Sequence, residues 1–452
     1  MPSAFTRNLV YPLYWRYRGL RVGKLIPFYM QNQWRSPDEL QEAQWTGLKR
    51  LLSHAYRTVP YYRRSMRELG CRPDDIQSQE DFALLPLLTK DDILQAGSDL
   101  LSHAVPRRRL IEDSTGGSTG KNIRFFEDRH ELAHRFAAVI RCDRWAGLNL
   151  GDRYAQIWGS PLDLAKASPF RRMVDQILLG RLFISSFRLS DADLAEAVPR
   201  MAAFNPQTLI GYPTPLHRFA GYLAQARIAD LGIRSVISSA ETLLPRQRED
   251  IERQFGCRVF DRYGCREFGV IANECEYHQG FHLMIDRLVL EFVKLPGLEA
   301  HESLFEIVVT DLHKYGMPLI RYRIGDLGLP TDRPCACGRG LPLMEKLQGR
   351  TFDLIVGTNG NYVAGTFWTL LFRTIPAIEA FQVVQERREH LEIRLKPRGA
   401  LNPSHLARLE TLIKDRCGND MQIEFKLVSR LPVNASGKHR FIISSIADAL
   451  FS

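Results

Sequence analysis

The sequence lacks a long apolar run and a dense set of cysteines. No stretch reaches the roughly 18 apolar residues of a membrane span, so we expect no transmembrane segment. The eight cysteines are scattered along the chain, which disfavours a disulfide framework. The N-terminal residues lack the apolar core and cleavage site of a secretory signal. We therefore expect a cytoplasmic protein whose cysteines are free or bind metal.

Sequence patterns for nucleic-acid binding are also lacking. We find no zinc-finger, RRM or KH pattern and expect no nucleic-acid partner. The formal net charge of +10 instead suits smaller anions such as nucleotides, coenzyme A or acidic lipid. There is no internal repeat and no low-complexity segment. The 452 residues are long enough for two or three ordinary domains of roughly 150 residues each.

The order of apolar patterns predicts two domains. Between residues 100 and 330, short apolar runs alternate with helical patterns, which is typical of an α/β fold with parallel-rich sheets. After Gly349 the pattern becomes a hairpin, a helix and a further strand. We predict a large N-terminal α/β domain, residues 1–348, and a small mobile C-terminal α+β domain, residues 349–452.

Residues 1–70 alternate aromatic and basic side chains. The residues concerned are Tyr11, Tyr14, Trp15, Tyr17, Arg16, Arg18, Arg21 and Lys24. We interpret this segment as a helical arm packed on the main domain. The alternative is an amphipathic element that contacts a membrane surface peripherally.

A Gly/Ser/Thr-rich segment precedes the first strong α/β pattern. It reads Ser114, Thr115, Gly116, Gly117, Ser118, Thr119, Gly120, Lys121. Such a backbone can approach phosphate oxygens closely, and its hydroxyls can donate hydrogen bonds to them. The spacing is not that of a Walker A loop, and Asn122 stands where Ser or Thr would be needed. By itself the segment could equally be a flexible turn.

Four further motifs follow along the chain. They are Tyr263-Gly264-Cys265-Arg266-Glu267, Arg321 to Leu327 with Asp326, Gly349-Arg350-Thr351-Phe352-Asp353, and Leu431 to Lys438. Each alone has a plain structural interpretation, such as a turn or a surface charge. In this order and at these separations, the five motifs resemble those of the adenylate-forming superfamily. Within it, the chain most resembles the phenylacetate–CoA ligase branch and its capsule-biosynthesis-associated relatives.

The resemblance implies a role for each motif. The loop from Ser114 to Lys121 would hold the ATP phosphates, and Glu267 would bind Mg²⁺. Ala240, Glu241 and Thr242 would border the adenine, Tyr263 would stack on it, and Gly264 would also bind the nucleotide. Asp326 would hold the ribose with the help of Arg350. Asp353 would lie at a hinge, and Lys438 at the reacting carboxylate. Catalysis is assigned to Lys438, Glu267 and Arg266. The family usually has Ser or Thr at the position of Arg266, so phosphate handling differs here in detail.

The implied reaction activates a carboxylic acid. ATP would give acyl-AMP and pyrophosphate, and the acyl group would then pass to coenzyme A as an acyl- or aryl-CoA thioester. Transfer to a carrier protein or an amine is the alternative. The acyl pocket is expected at Trp158, Gly159, Tyr212, Pro213 and Ser239, which suit an aromatic or medium-sized acid. The resemblance also suggests a homodimer. A competing hypothesis is a non-catalytic, nucleotide-binding protein of the membrane surface.

A zinc site is expected between residues 275 and 337. Cys335 and Cys337 form a C-x-C pair, and Cys275, His278 and His282 lie upstream. Thiolates and imidazoles are the ligands of closed, tetrahedral structural zinc sites, and some relatives in this branch carry such a zinc. We predict Cys275, His282, Cys335 and Cys337 as ligands, with His278 as the alternative histidine.

Overall fold

The structure is a computed structural model. It describes residues 3–115, 123–159, 169–186, 189–228, 231–294, 305–350, 354–363, 365–373, 375, 377–399, 401–432 and 441–446. Within these residues, no helix has both the length and the apolar character that crossing a bilayer requires.

The N-terminal region is helical, as the sequence predicts. Its helices are Ser3–Phe5, a π-helical turn Thr6–Val10, Tyr11–Arg18, Val22–Asn32, Pro37–Thr58 and Pro60–Glu68. Ser36 begins the longest helix by accepting from the Glu39 amide, and the Glu39 carboxylate accepts from the Ser36 amide, a capping box that satisfies two free backbone donors. The apolar side of this helix, including Leu48 and Leu51, is fully buried in the core shared with the main sheet.

An 11-stranded mixed sheet forms the centre of the fold. Its strands are β3 (Tyr154–Trp158), β4 (Arg181–Ser185), β5 (Thr208–Gly211), β6 (Ser235–Ser239), β7 (Val259–Cys265), β8 (Gly269–Glu274), β9 (Phe281–Leu283), β10 (Leu288–Lys294), β11 (Phe305–Asp311), β12 (Tyr322–Thr331) and β13 (Leu343–Arg350). The order is β10-β11-β12-β13-β9-β8-β7-β6-β5-β3-β4. Strands β3 to β7 pair in parallel, as the apolar runs predict, whereas β7 to β13 pair antiparallel.

Helices connect and cover the parallel strands. They are Arg129–Trp145, Pro169–Leu178, Asp191–Phe204, Pro213–Gln225 and Pro245–Phe255, with the shorter Gln79–Ala83 and Lys90–Ala96 earlier in the chain. Crossover helices are what parallel strands require. The carboxyl ends of β3, β5 and β6 therefore meet at one edge of the sheet, where ligands bind in open α/β folds.

The C-terminal region has its own sheet and core. The sheet order is β18 (Gln422–Leu427), β17 (His390–Pro397), β16 (Ile378–Arg387) and β19 (Ile442–Ser444). The helices Gly365–Arg373 and Pro403–Cys417 accompany it, with a small hairpin of β14 (Ile355–Val356) and β15 (Tyr362–Val363). A second small hairpin, of β1 (Ile111–Ser114) and β2 (Arg124–Glu127), lies in the N-terminal part of the chain. A separate hydrophobic cluster, which includes Trp368 and Ile393, fills this region. The hairpin and the strand after the helix are as predicted.

Candidate functional site

Two of the predicted nucleotide-binding residues touch each other. The Tyr263 hydroxyl on β7 donates to Asp326 Oδ2 on β12 at 2.9 Å. Both side chains are largely buried, with 6% and 9% of their surface exposed. Three strands stand between β7 and β12 in the sheet order, so this contact requires the sheet to curl. Asp326 is also the register partner of Arg350 on β13, and this pairing brings three motifs to one place.

Gly264 is required where it stands. A Cβ built on Gly264 would lie 2.2 Å from the Gly269 carbonyl oxygen, far inside van der Waals contact. The register of β7 with β8 shifts between Tyr263 and Gly264, which is the local distortion that glycine permits. The glycine therefore sets the direction in which Tyr263 and Glu267 leave the strand.

Three cations hold the backbone that follows Gly264; Lys314 and Arg287 are fully buried, and Arg135 is partly buried. Arg135 donates to the carbonyl of Arg266 at 3.0 Å, Lys314 lies 3.5 Å from the carbonyl of Glu267, and Arg287 donates to the carbonyl of Phe268. Lys314 and Arg287 also pair with buried carboxylates, which offsets the cost of burying their charge. Sequence reasoning missed these residues because they come from three separate segments and form no motif.

Glu267 lies in the same buried region. Its side chain is 7% exposed, and its Oε1 lies 3.4 Å from the Tyr322 hydroxyl. Burial, and next the Glu267 carboxylate, raise the pKa of the Cys265 thiol well above its ordinary value, because both disfavour a thiolate. Cys265 is therefore a neutral thiol.

Arg266 contacts β1, the strand that precedes the predicted phosphate loop. Its Nη1 lies 3.3 Å from Asp113 Oδ1, on the strand that leads into Ser114 and Thr115. The Thr115 hydroxyl accepts from the Ile123 amide at 3.1 Å and the Thr115 amide donates to the Ile123 carbonyl. The base of the loop is thus closed. Gly116, Gly117, Ser118, Thr119, Gly120 and Lys121 lie outside the described residues.

The predicted adenine and acyl residues gather at the carboxyl ends of the parallel strands. The rings of Trp158 and Tyr212 approach to 4.3 Å between centroids, directly before Gly159 and Pro213. The Ser239 hydroxyl donates to the Arg262 carbonyl at 3.1 Å. This hydroxyl is therefore turned toward the backbone of β7, and Tyr212 is itself largely buried.

Ala240 has a backbone conformation that non-glycine residues rarely adopt. Its φ is +68°, a strained value for a residue with a Cβ. It follows β6 directly, and the next residue, Glu241, accepts a long hydrogen bond of 3.4 Å from the Thr214 amide. The predicted adenine border, Ala240 to Thr242, is therefore a turn at this strand end.

The four predicted zinc ligands converge. The ligand atoms of Cys275, His282, Cys335 and Cys337 all lie within 4.8 Å of one another. Cys275 Sγ and Cys335 Sγ are 3.6 Å apart, and Cys337 Sγ is 3.3 Å from His282 Nε2. Tetrahedral zinc with Zn–S bonds of roughly 2.3 Å places its sulfurs roughly 3.7 Å apart. The donor set and its spacing therefore fit a closed Zn²⁺ site.

The surroundings of the cluster separate the two candidate histidines. His282 Nδ1 lies 2.9 Å from the Leu341 carbonyl, which leaves Nε2 free to face the thiols, as second-shell contacts of zinc histidines do. His278 instead places Nδ1 3.1 Å from Glu274 Oε2 and is not in the group. The segment that follows Cys337 also contacts the N-terminal arm, because the Gly340 amide donates to the Gln33 carbonyl at 3.0 Å.

A second histidine group, His130, His134 and His313, lies beside a cavity of about 650 Å³. The rings of His134 and His313 stack at 3.5 Å with an interplanar angle of 12°. In-plane lone pairs of stacked rings run nearly parallel and do not converge on one ion. Burial lowers the pKa of His134 to about 2 and that of His313 to about 3, so both rings are neutral.

This stack predicts acid sensitivity. Both histidines have folded pKa values below the ordinary value of roughly 6.5, so the unfolded state binds more protons below that pH. We expect the free energy of unfolding to fall as pH drops below about 6.5, by up to about 1.4 kcal/mol per pH unit for each histidine. Urea unfolding at several pH values measures this. His134→Asn should reduce the slope and the exposed His103→Gln should not; equal slopes in all three proteins would refute the explanation.

Three predicted features cannot be placed. Lys438 and Asp353 lie outside the described residues, and of Arg350 only the backbone is described. Their roles therefore stay predictions, as does the division into domains at residues 348 and 349.

The overall fold is that of the adenylate-forming ligases. A crystal structure of 2-hydroxyisobutyryl-CoA ligase in complex with 2-HIB-AMP superposes with a TM-score of 0.73 at 19% identity and covers 93% of each chain. O-succinylbenzoate coenzyme A synthetase (MenE) of Bacillus subtilis, in complex with AMP, gives a TM-score of 0.51 at 16% identity, over 72% of this chain and 67% of that one. At these identities, the likeness establishes the fold.

Sequence comparison finds similar proteins of two kinds. Protein CapK of Staphylococcus aureus is 25% identical over 368 residues, 80% of each chain. The phenylacetate-coenzyme A ligase of Thermus thermophilus is 26% identical over 369 residues, 78% of this chain and 80% of that protein. Residues 355–445 match the family model described as the CapK C-terminal domain. The chain is thus a homologue of CapK and of phenylacetate-CoA ligases with an adenylate-forming fold, as its motifs predict.

Proposed function

We propose that this protein is an acid–thiol ligase that activates a carboxylic acid with ATP and transfers the acyl group to coenzyme A. The observation that carries the proposal is the hydrogen bond between Tyr263 and Asp326, with Arg350 opposite Asp326 in the sheet. These residues come from three distant motifs, and a nucleoside is the ligand that an aromatic face beside a carboxylate suits. The homologous phenylacetate-CoA ligases support the same reaction class.

The proposed reaction has two steps. In the first, a carboxylate oxygen attacks the α-phosphorus of ATP, the bond from that phosphorus to the bridging oxygen breaks, and pyrophosphate leaves. In the second, the thiol sulfur attacks the acyl carbon, the bond to AMP breaks, and the thiol proton is lost. Asp326 would hold the ribose hydroxyls through both steps, and Lys438 would stabilise the charge that develops in the first.

Glu267 is the residue proposed to hold Mg²⁺, which supplies charge neutralisation for the phosphates when bound. A buried carboxylate whose backbone is held by Lys314 is a rigid ligand of the hard oxygen type that Mg²⁺ prefers. Arg266 would turn from Asp113 to a phosphate oxygen when ATP enters. This exchange gives the unusual arginine a role on the same surface as the phosphate loop.

We propose an aromatic or medium-sized acid as the substrate. The tilted pair of Trp158 and Tyr212 places two aromatic rings at the strand ends, which favours a ring over a long fatty chain. Zn²⁺ is proposed at Cys275, His282, Cys335 and Cys337. Its role would be structural, because four protein ligands leave no position for water.

Replacement of Lys438 by alanine is expected to slow adenylation by roughly 10²–10³-fold, the usual effect of removing one charge-stabilising group. Pyrophosphate release would be measured with ATP and Mg²⁺ across a panel of aryl, hydroxy, amino and fatty acids. Lys426→Ala is the matched control, because Lys426 lies in the same region and pairs with Glu392 on the surface. It should leave the rate unchanged.

The same assay separates the alternatives. Thioester formation on adding coenzyme A supports that acceptor, whereas acyl-AMP that stays intact until a carrier protein or an amine is added supports the other transfer. Silence across the whole panel from a folded protein that still binds ATP would refute the proposed ligase reaction and favour the non-catalytic, nucleotide-binding alternative. Absence of ATP binding would refute both.

A further inference from the structure

The N-terminal helices present a continuous exposed apolar stripe. Phe5, Leu9, Leu13 and Tyr17 follow one another at intervals of four residues, so they lie along one side of the helical segment Ser3 to Arg18. Their exposed fractions are 44%, 47%, 57% and 88%. A single exposed apolar side chain is ordinary on a protein surface, but a stripe of this length is typical of an interaction surface.

The opposite side of the same segment is packed on the protein. Thr6 and Trp15 are 3% and 7% exposed, and the Tyr11 hydroxyl donates to the Leu179 carbonyl at 3.2 Å. The segment is thus docked through one side, and the stripe is the side that remains. Its exposure does not result from a detached helix.

The charge of this region has one sign. Residues 1–37 contain no Asp or Glu, and their basic residues are Arg7, Arg16, Arg18, Arg21, Lys24 and Arg35. Arg7, Arg16, Arg21 and Lys24 are exposed, and none of the four pairs with a carboxylate in the part of the chain that the structure describes. Exposed cations beside an apolar stripe complement a surface that offers both acyl chains and phosphates.

We propose that residues 3–34 of the N-terminal arm dock on an anionic lipid surface. Phe5, Leu9, Leu13 and Tyr17 would enter the boundary between headgroups and acyl chains, as interfacial helices do. The basic side chains would contact lipid phosphates, and each would add to the attraction. The aliphatic part of the Arg16 side chain can lie among apolar groups while its guanidinium reaches a phosphate. Trp34, 55% exposed, belongs to the residue type enriched at membrane interfaces.

A second copy of the chain is the less favourable occupant. A two-fold contact places the same surface of each copy opposite itself, so two acid-free segments, each with six cations, would face one another at short range. Anionic lipid removes that repulsion. The inference is independent of the proposed ligase activity, since it concerns residues outside the nucleotide and acyl sites.

Vesicle sedimentation of the full chain tests the proposal. The probes are vesicles of phosphatidylglycerol mixed with phosphatidylcholine, and of phosphatidylcholine alone. We expect binding to the anionic vesicles, weakened by salt, and a loss of roughly tenfold or more in the double variant Leu9→Asp with Leu13→Asp. Leu84→Asp is the matched control, because Leu84 is 74% exposed but lies outside the arm. Circular dichroism and thermal unfolding verify that both variants fold.

Three outcomes would overturn the proposal. The first is that the protein does not bind anionic vesicles at low salt. The second is that the Leu84→Asp control loses as much binding as the double variant. The third is that light scattering shows the wild-type chain to be a dimer and the double variant to be a monomer. The last would assign the stripe to contact between copies. A double variant that does not fold would be replaced by Arg16→Gln with Lys24→Gln, which should weaken binding to anionic vesicles only.

Discussion

Replacement of Asp326 by alanine is expected to lower kcat/KM for ATP by about 10²–10⁴-fold. Two hydrogen bonds from ribose hydroxyls to a buried carboxylate would each contribute about 1.5–3 kcal/mol, as bonds to charged groups do. The change also leaves the Tyr263 hydroxyl without its partner at 2.9 Å. Steady-state pyrophosphate release at varied ATP concentration measures the effect, and isothermal titration with AMP separates binding from chemistry.

Tyr263→Phe is the matched variant for this test. It keeps the aromatic face for the adenine and removes only the hydroxyl that donates to Asp326. Because that hydroxyl contacts Asp326 and not the nucleotide, we expect kcat/KM for ATP to fall by less than about tenfold. A folded Asp326→Ala protein with unchanged affinity for AMP would refute the ribose assignment. Equal losses in both variants would instead show that their mutual bond, and not ribose contact, is what matters.

Loss of one zinc ligand is expected to have the largest effect on stability. Cys335→Ser should abolish a metal content of about one zinc per chain and lower the Tm by roughly 5 °C or more, because metal binding free energy contributes to folding. The loop beside Cys335 also contacts Gln33, so the N-terminal arm should become more open to proteolysis. Elemental analysis, thermal unfolding and limited proteolysis measure the three effects.

Cys71→Ser is the control for the zinc prediction. Cys71 is a free, partly buried thiol outside the cluster, so this variant should keep its metal and its Tm. A wild-type protein purified without chelators that contains no zinc, and whose Tm does not change when zinc is added, would contradict the assignment. Zinc that persists in Cys335→Ser would instead contradict the ligand set.

The sequence predicted well the features that depend on local pattern. Short apolar runs predict strands β3, β5 and β6. Alternation of apolar and polar residues around a polar turn predicts the hairpin of β16 and β17. The zinc ligands were predicted because cysteine is a rare residue and its spacing is therefore informative. Only the structure shows which histidine belongs to the cluster. His282 Nδ1 contacts the Leu341 carbonyl, which leaves Nε2 facing the thiols, whereas His278 Nδ1 contacts Glu274.

Contacts between distant segments could not be predicted. Arg135, Lys314 and Arg287 hold the backbone next to Glu267, but as isolated basic residues they resemble any surface charge. The curl of the sheet that brings Asp326 to Tyr263 has no local pattern either. It depends on β13, which pairs with β9 only through residues 343 and 344 and with β12 along most of its length.

The end of β13 has a mechanical consequence. The strand ends at Arg350, opposite Asp326, and the segment with Asp353 follows at once. Any swing of the C-terminal region about that segment would have its pivot next to Asp326, the residue proposed to hold the ribose. Displacement grows with distance from a pivot, so the nucleoside would stay almost stationary while parts of that region far from the pivot would move through a wide arc. One bound adenylate could then be presented in turn to two different chemical surroundings without being released.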